Sequence, residues 1–327
     1  MSTCTELVKI LSDGTFHSGT DLGNKLGITR AAVCKNIHHL IHTGLDVHRV
    51  TGRGYKLDQP LVALDKKRIL KYMGASAPTD LRERLYVVDR VDSTNRFLSE
   101  RVARAESVHG VACLAEMQRA GRGRRERPWI ATPYNNLMLS MAWEFPGGPG
   151  MVTGLSLSAG VAVRRALEEY GVSDAMLKWP NDVLWDGRKL AGLLVEVSGE
   201  AAGPTRVILG VGVNACISRD DAGRIDQPWV DLRNILGKTV DRNRLAALVI
   251  RHLLGMFQIF SEKGFAPFRK PWQSHHFYHG RRVRLIQGDE EITGIVEGIN
   301  DDGGLMIRHA KARKVYHSGE ISMRSAG

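Results

Sequence analysis

The chain has 327 residues, with 43% apolar and 25% charged side chains, an ordinary globular balance long enough for two or three domains with a sizeable core. Lys and Arg number 46 against 35 Asp and Glu, a formal charge of +11, which points to an anionic partner without saying which. No signal peptide and no apolar run near membrane-spanning length is read in the sequence, and the four cysteines (Cys4, Cys34, Cys113, Cys216) have neither zinc nor disulfide-framework spacing, so a reducing cytoplasm is expected.

Residues 1–60 read as a winged helix-turn-helix. Ser18 caps a helix through Leu26, Gly27 ends it, and Thr29 caps the next. In that second helix Val33, Ile37, Leu40 and Ile41 recur at core spacing, leaving Arg30, Ala31, Lys35, Asn36 and His38 to face outward. The stretch DVHRVTGRGYKL then gives two short strands around a tip bearing Arg53. Arg30, Lys35 and Arg53 are the candidate DNA contacts. The basic excess nevertheless lies elsewhere: residues 1–58 hold seven Lys/Arg against five Asp/Glu, and residues 59–277 hold 31 against 23. That distribution argues against a protein that only coats nucleic acid. His38 and His42, at i, i+4, lack further ligands nearby, and the HHFYH cluster reads as solvated or partly packed side chains.

Residues 61–277 form the expected central domain, entered by a linker helix within 61–84 that Asp65 caps. Strands are predicted over 85–89, 110–118, 136–143 and 206–214, with AMLKW, DVLW and KLAGLLVEV between them. The last two of those join at Asp186-Gly187, a hairpin signal. Helices follow Ser93, run from Thr153 to Tyr170, and run from Arg242 to Ser261. The mixture is α+β multidomain, with a central α/β mixed sheet rather than strict βαβ alternation. From 278 to 327 the pattern changes to short strands separated by turns at Gly288-Asp289 and 301–304, a small SH3-like β-barrel.

Between the strand ending at Gln118 and Trp129 lies GRGRRERPW, with four arginines in six positions and glycines at 121 and 123. The alternatives are a solvated surface loop, a nucleic-acid contact, and an anion site, mobile when empty, whose guanidinium forks order around phosphate or carboxylate. There is no P-loop sequence. KWPND sets Lys178 at a strand end beside an apolar wall, where a fixed cation suits a developing anionic charge; alone it is equally a strand-ending turn. DSTN (92–95) brings hydroxyls and an amide to a helix start, where free N–H groups gather.

DSTN, Q-x-x-GRGRR, KWPND, KLAGLLVE and GVGVN, in that order, resemble the biotin–protein ligase family. With the winged helix in front, the resemblance is to its bifunctional bacterial form, which is also the biotin operon repressor, and it runs from about Phe16 to Arg324. It implies that the protein activates biotin with ATP to biotinyl-5′-AMP and transfers biotin to a lysine of the biotin carboxyl carrier protein of acetyl-CoA carboxylase. Ser93, Thr94, Asn95, Gln118, Arg122, Gly123, Arg124, Lys178 and Gly192 would bind biotin. Arg122, Arg124 and Lys178 would gather its carboxylate and the α-phosphate, and Trp129 and Asn214 would meet the adenylate. Mg²⁺ is expected with ATP, its ligands unknown, Asp182 being one candidate; a base for the acceptor lysine is unassigned, Asp174 being as readily a surface cap. The resemblance also implies operator DNA as partner, two wings with recognition helices about 34 Å apart on a homodimer promoted by biotinyl-AMP as corepressor, and no membrane. A lipoate–protein ligase and a ligand-sensing repressor without ligase activity are the alternatives. Glu126 departs from the family's usual glycine; a carboxylate there is expected to pair with Arg125 or Arg127 and alter loop closure.

Overall fold

A computed structural model describes residues 3–103, 108–287, 290–310, 312–317 and 321–325. The N-terminal segment holds helices α1 (Thr3–Leu11), α2 (Gly19–Leu26) and α3 (Arg30–His42), then the strands β1 (Val47–Val50) and β2 (Gly54–Leu57) paired antiparallel. Ser18 Oγ accepts from Asp21 N and Thr29 Oγ1 from Ala32 N, while Gly27 closes α2 in the left-handed region at φ 63°, so the caps expected from sequence are those that form. Leu7, Leu11, Leu22, Val33, Ile37 and Leu40 are buried together. Ile41, expected on this stripe, is instead 43% exposed, because the core closes at Leu40 and the next residue lies about 100° further round the helix.

That small core borrows a side chain. Tyr134, from far along the chain, is 2% exposed and belongs to the same apolar cluster as Leu7 and Leu22. It sits at φ 59°, and its hydroxyl donates to Asp89 Oδ1. Burial and the Asp89 charge push the phenol well above its ordinary value, so it stays a neutral donor.

The chain continues through α4 (Lys66–Met73) and α5 (Leu81–Arg84) into a seven-stranded sheet. Asp65 caps α4 by accepting from Arg68 N. The approach, residues 61–65, is stitched to the sheet by a buried ion pair: Arg242 Nη1 lies 2.6 Å from Glu116 Oε2, and its guanidinium also donates to the Asn136 and Val62 carbonyls. Glu116 Oε1 in turn accepts from Leu64 N. Each charge is thereby paired and further hydrogen-bonded, the condition for burying an ion pair at tolerable cost.

The sheet comprises β3 (Leu85–Val91), β4 (Val111–Gln118), β5 (Leu137–Phe145), β6 (Met176–Lys178), β7 (Asp182–Trp185), β8 (Arg188–Gly199) and β9 (Thr205–Val213), in the order β3-β4-β5-β9-β8-β7-β6. Among the described strands of this sheet only β3 and β4 run parallel, joined through α6 (Thr94–Val102), which makes the sheet mixed. Helices α7 (Leu155–Tyr170), α10 (Arg242–Lys263) and α11 (Ala266–Ser274) follow, with two short turns of helix, α8 (Arg219–Ala222) and α9 (Leu232–Leu236), between β9 and α10.

Residue parity sorts the two faces. On β4, Ala112 and Leu114 join the large core with α7 and α10, whereas Cys113 joins Leu98 and Val102 of α6 on the other face. The α10 helix is long and apolar enough to cross a membrane by length and composition, which corrects the expectation that no run approaches that length, but 61% of its apolar window is buried inside the protein. It is the core helix of the sheet.

The last segment is a five-stranded antiparallel sheet, ordered β13-β12-β11-β10-β14, from β10 (Arg282–Gln287), β11 (Glu290–Ile299), β12 (Leu305–His309), β13 (Ala312–Tyr316) and β14 (Ile321–Ser325), consistent with the SH3-like expectation. The expected turn at Gly288-Asp289 lies outside the described residues. Val283, Leu285, Val296 and Leu305 share the large core of the central sheet, and Trp179 Nε1 donates to the Gly303 carbonyl at 3.1 Å.

Candidate functional site

On the α6 face, at the start of that helix, the sheet holds a cavity of about 410 Å³, within the range of small-molecule sites. Its floor is made by glycines. Gly192, Gly210 and Gly212 on β8 and β9 all border it. A Cβ on Gly210 would stand 2.5 Å from Asn95 Oδ1, and one on Gly212 would stand 2.5 Å from the Trp129 ring. These positions are glycine because side chains lie directly across them.

One end is neutral and polar. Ser93 stands at the N-cap of α6 but makes no side-chain cap bond, and Thr94 donates through its backbone N to Gln118 Oε1 at 2.7 Å. Ser140 Oγ lies 2.7 Å from Thr94 Oγ1 and 2.6 Å from Asn95 Oδ1, fixing the amide so that Asn95 Nδ2 donates to Glu196 Oε2.

The other end is cationic. Asp182 Oδ1 lies 2.8 Å from Lys189 Nζ, and Asp182 Oδ2 lies 3.9 Å from Lys178 Nζ. Arg124 Nη1 reaches Asn181 Oδ1 at 3.5 Å. Burial pulls the Arg124 guanidinium below its ordinary value, with Asp182 opposing and Arg125 adding to the effect. Asn181 holds the KWPND turn against β8 through Leu193, donating from Nδ2 at 2.7 Å and accepting at its own carbonyl at 2.9 Å.

The arginine loop crosses the mouth as a narrow excursion, closed by Trp129 N donating to the Gly121 carbonyl and Gly123 N to that of Arg127. Its tip, Arg125 and Glu126, has φ of 59° and 52°, a conformation that side-chain-bearing residues adopt at a cost. Arg122 Nη2 donates to Glu196 Oε1 at 2.7 Å and Nη1 to Glu126 Oε2 at 3.4 Å. Glu126 pairs here with Arg122, a partner not expected from the sequence. Trp129 lies over Gly212 and Gly192, with Lys189 Nζ 5.5 Å from the ring centroid.

Ser93, Thr94, Asn95, Gln118, Arg122, Gly123, Arg124, Trp129, Lys178 and Gly192 all border this one cavity. Asn214 does not; its Nδ2 is committed to the carbonyls of Lys189 and Val230 at 3.2 Å each, so it steadies the strand that carries Lys189. Asp174 is exposed, away from the cavity. Asp182, the candidate Mg²⁺ ligand, sits between two lysines, and no group of three His, Cys, Asp or Glu occurs among the described residues; this donor set does not fit a metal held by the protein. Sequence reasoning missed Lys189 and Glu196. Lys189 could have been suspected from KLAGLLVE, where a lysine opens a strand that otherwise turns inward; Glu196 carries no such signal. On the winged helix, Arg30 and Lys35 are exposed on α3, and Arg53 lies over the Phe16 ring at 4.4 Å.

Comparison with known proteins agrees with this geometry. The family described as Biotin/lipoate A/B protein ligase matches residues 87–214, the biotin protein ligase C-terminal domain matches 278–324, and an HTH domain matches 5–56. The chain is 39% identical over 98% of its length to the bifunctional ligase/repressor BirA of Escherichia coli, covering 97% of it. It is 35% identical over 71% of its length to the biotin–[acetyl-CoA-carboxylase] ligase of Paracoccus denitrificans, covering 97%. The biotin protein ligase of Aquifex aeolicus, solved with biotin and ATP, superposes with a TM-score of 0.63 at 31% identity, over 74% of this chain and 99% of that one. The chain belongs to the biotin–protein ligases, in the form that carries an N-terminal DNA-binding domain.

Proposed function

We propose that this protein activates biotin with ATP, retains biotinyl-5′-AMP, transfers biotin to a lysine of the biotin carboxyl carrier protein, and represses biotin-synthesis genes with the adenylate as corepressor. The observation that carries the reading is the single cavity with a neutral polar end, a glycine floor and a cationic end. A ureido ring suits donors and acceptors such as Ser93, Thr94, Asn95 and Gln118, and an aliphatic tail suits the glycine floor.

At the cationic end a biotin carboxylate oxygen attacks the α-phosphorus and pyrophosphate leaves. Two anions must meet, and Arg124, Lys178 and Lys189 offset their repulsion there. Arg122 would join them on leaving Glu196. The acceptor ε-amine then attacks the acyl carbon, its proton passes to solvent, and AMP leaves. Trp129 would pack on the adenine. No step is assigned to a protein-held Mg²⁺.

The division into 1–60, 61–277 and 278–327 follows the change of function along the chain. Arg30, Lys35 and Arg53 would face operator DNA in a homodimer favoured by the adenylate, and the cytoplasm is the expected compartment. The test is ATP–pyrophosphate exchange with biotin and with lipoate in parallel. Exchange with biotin alone is expected; exchange with lipoate moves the protein to the sister activity, and exchange with neither leaves a ligand-sensing repressor. Salt-dependent binding to a palindromic promoter that tightens with biotinyl-AMP tests the second role.

A further inference from the structure

We propose that Ser140, a buried serine that does not border the cavity, is a positioning residue: it sets which way the hydrogen bonds run at the neutral end, and so keeps an oxygen of Gln118 open for a ligand N–H. The inference rests on the reading that the cavity takes biotin, with its cyclic urea at that end. Ser140 stands on β5, fully buried, in register with Gly210 of β9 and Cys113 of β4. Its Oγ lies 2.6 Å from Asn95 Oδ1 and 2.7 Å from Thr94 Oγ1, and Thr94 Oγ1 lies 3.1 Å from Gln118 Oε1. These contacts form one line, from Glu196 through Asn95, Ser140 and Thr94 to Gln118.

Each proton in that line has one place to go. The Glu196 carboxylate only accepts, so the Asn95 NH₂ turns to it, at 2.9 Å, and the Asn95 oxygen turns to Ser140. An amide oxygen cannot donate, so the Ser140 hydroxyl gives its proton to Asn95. That is the only proton the hydroxyl has, and the 2.7 Å approach of Thr94 Oγ1 is therefore Thr94 donating to Ser140. Thr94 does not then spend its proton on Gln118. Gln118 Oε1, which accepts the Thr94 backbone N–H at 2.7 Å, keeps its second lone pair for the ligand. With alanine at 140 the acceptor left beside the Thr94 hydroxyl is Gln118, and that lone pair is consumed. A urea N–H then enters the cavity without its partner, and an unpaired buried donor weakens binding.

The test uses the full chain as wild type, Ser140→Ala, Thr94→Val and the double variant. Affinities for biotin and for desthiobiotin, which keeps the urea and lacks the sulfur, come from titration calorimetry, and KM and kcat from pyrophosphate exchange. Ser140→Ala is expected to weaken both ligands by the same factor, roughly tenfold in Kd and in biotin KM. The ATP KM and kcat are expected to stay within about twofold, because the change lies at the neutral end. In the Thr94→Val background no hydroxyl is left to turn onto Gln118, and the same change is expected to add less than about twofold. Unchanged affinity in the single variant, an equal loss in both backgrounds, losses that differ between the two ligands, or a fall confined to kcat or to ATP KM would each overturn the proposal. Ser140→Cys, close in volume but a weak donor and acceptor, is the second variant should alanine fail to fold, with the same expected direction. If the wild-type protein takes no biotin, the proposed function falls and the line of bonds is judged separately, from crystal structures of the ligand-free proteins. In Ser140→Ala the distance from Thr94 Oγ1 to Gln118 Oε1 should then shorten from 3.1 Å to about 2.8 Å, and an unchanged distance would overturn it.

Discussion

His276 should make the protein acid-sensitive in a way that a single substitution removes. Its ring is 3% exposed, lies 4.4 Å from the Trp272 ring, and neither of its nitrogens has a hydrogen-bond partner among the described residues. Burial, with a smaller contribution from His279, lowers its pKa from 6.5 to about 3. Between those values the unfolded chain carries a proton that the folded chain refuses, so stability falls as pH falls. At about 1.4 kcal/mol per pH unit below 6.5, acidification from pH 7 to pH 5 costs about 2 kcal/mol through this residue alone. His276→Phe keeps an aromatic ring beside Trp272, breaks no hydrogen bond and cannot titrate. Urea unfolding followed by tryptophan fluorescence at pH 7 and pH 5 should therefore show the wild type losing about 2 kcal/mol more than the variant. Equal losses would refute the reasoning, because every other titrating group is common to both proteins. The position matters to the site: Leu177 N donates to the His275 carbonyl and its own carbonyl accepts from Phe277 N, so the backbone around this ring anchors the strand that ends in Lys178.

Three further substitutions follow from the geometry. Gly212→Ala would place a methyl group 2.5 Å from the Trp129 ring; displacing that ring should weaken adenylate binding by about tenfold or more, and unchanged affinity by calorimetry would show that the ring does not serve the ligand. Gly255→Ala, inside α10 with open space where its Cβ would go, should instead raise the unfolding free energy by about 0.5–1 kcal/mol without altering exchange kinetics. Glu126→Gly removes one carboxylate from Arg122 and relieves a left-handed residue at the loop tip; adenylate release, followed by stopped-flow fluorescence, should speed up by as much as about fivefold. An unchanged release rate would mean that Glu126 plays no part in loop closure.

Much of this was legible locally. The caps at Ser18, Thr29 and Asp65 announce themselves because capping is chemistry between residues three apart. The sheet strands and the Asp186-Gly187 hairpin are read the same way. The contents of the cavity were legible through motif order, since GRGRR, KWPND and DSTN each keep their residues adjacent. What stayed hidden depends on distance along the chain. Glu196 meets Arg122 and Asn95 from 74 and 101 residues away, and on a strand it looks like any outward-facing carboxylate. Helix α1, at nine residues, is too short for its apolar spacing to stand out.

The tyrosine lodged beneath the winged helix has a consequence for anyone who cuts this chain apart. Residues 1–60 taken alone would leave open the slot that Tyr134 fills, and a small domain has few contacts to spare. Such an excised fragment should melt lower than the same unit within the whole protein. A transplant onto a foreign enzyme would need to bring its own aromatic plug. What looks like a detachable DNA reader is, at its base, half of a joint whose other half belongs to the enzyme.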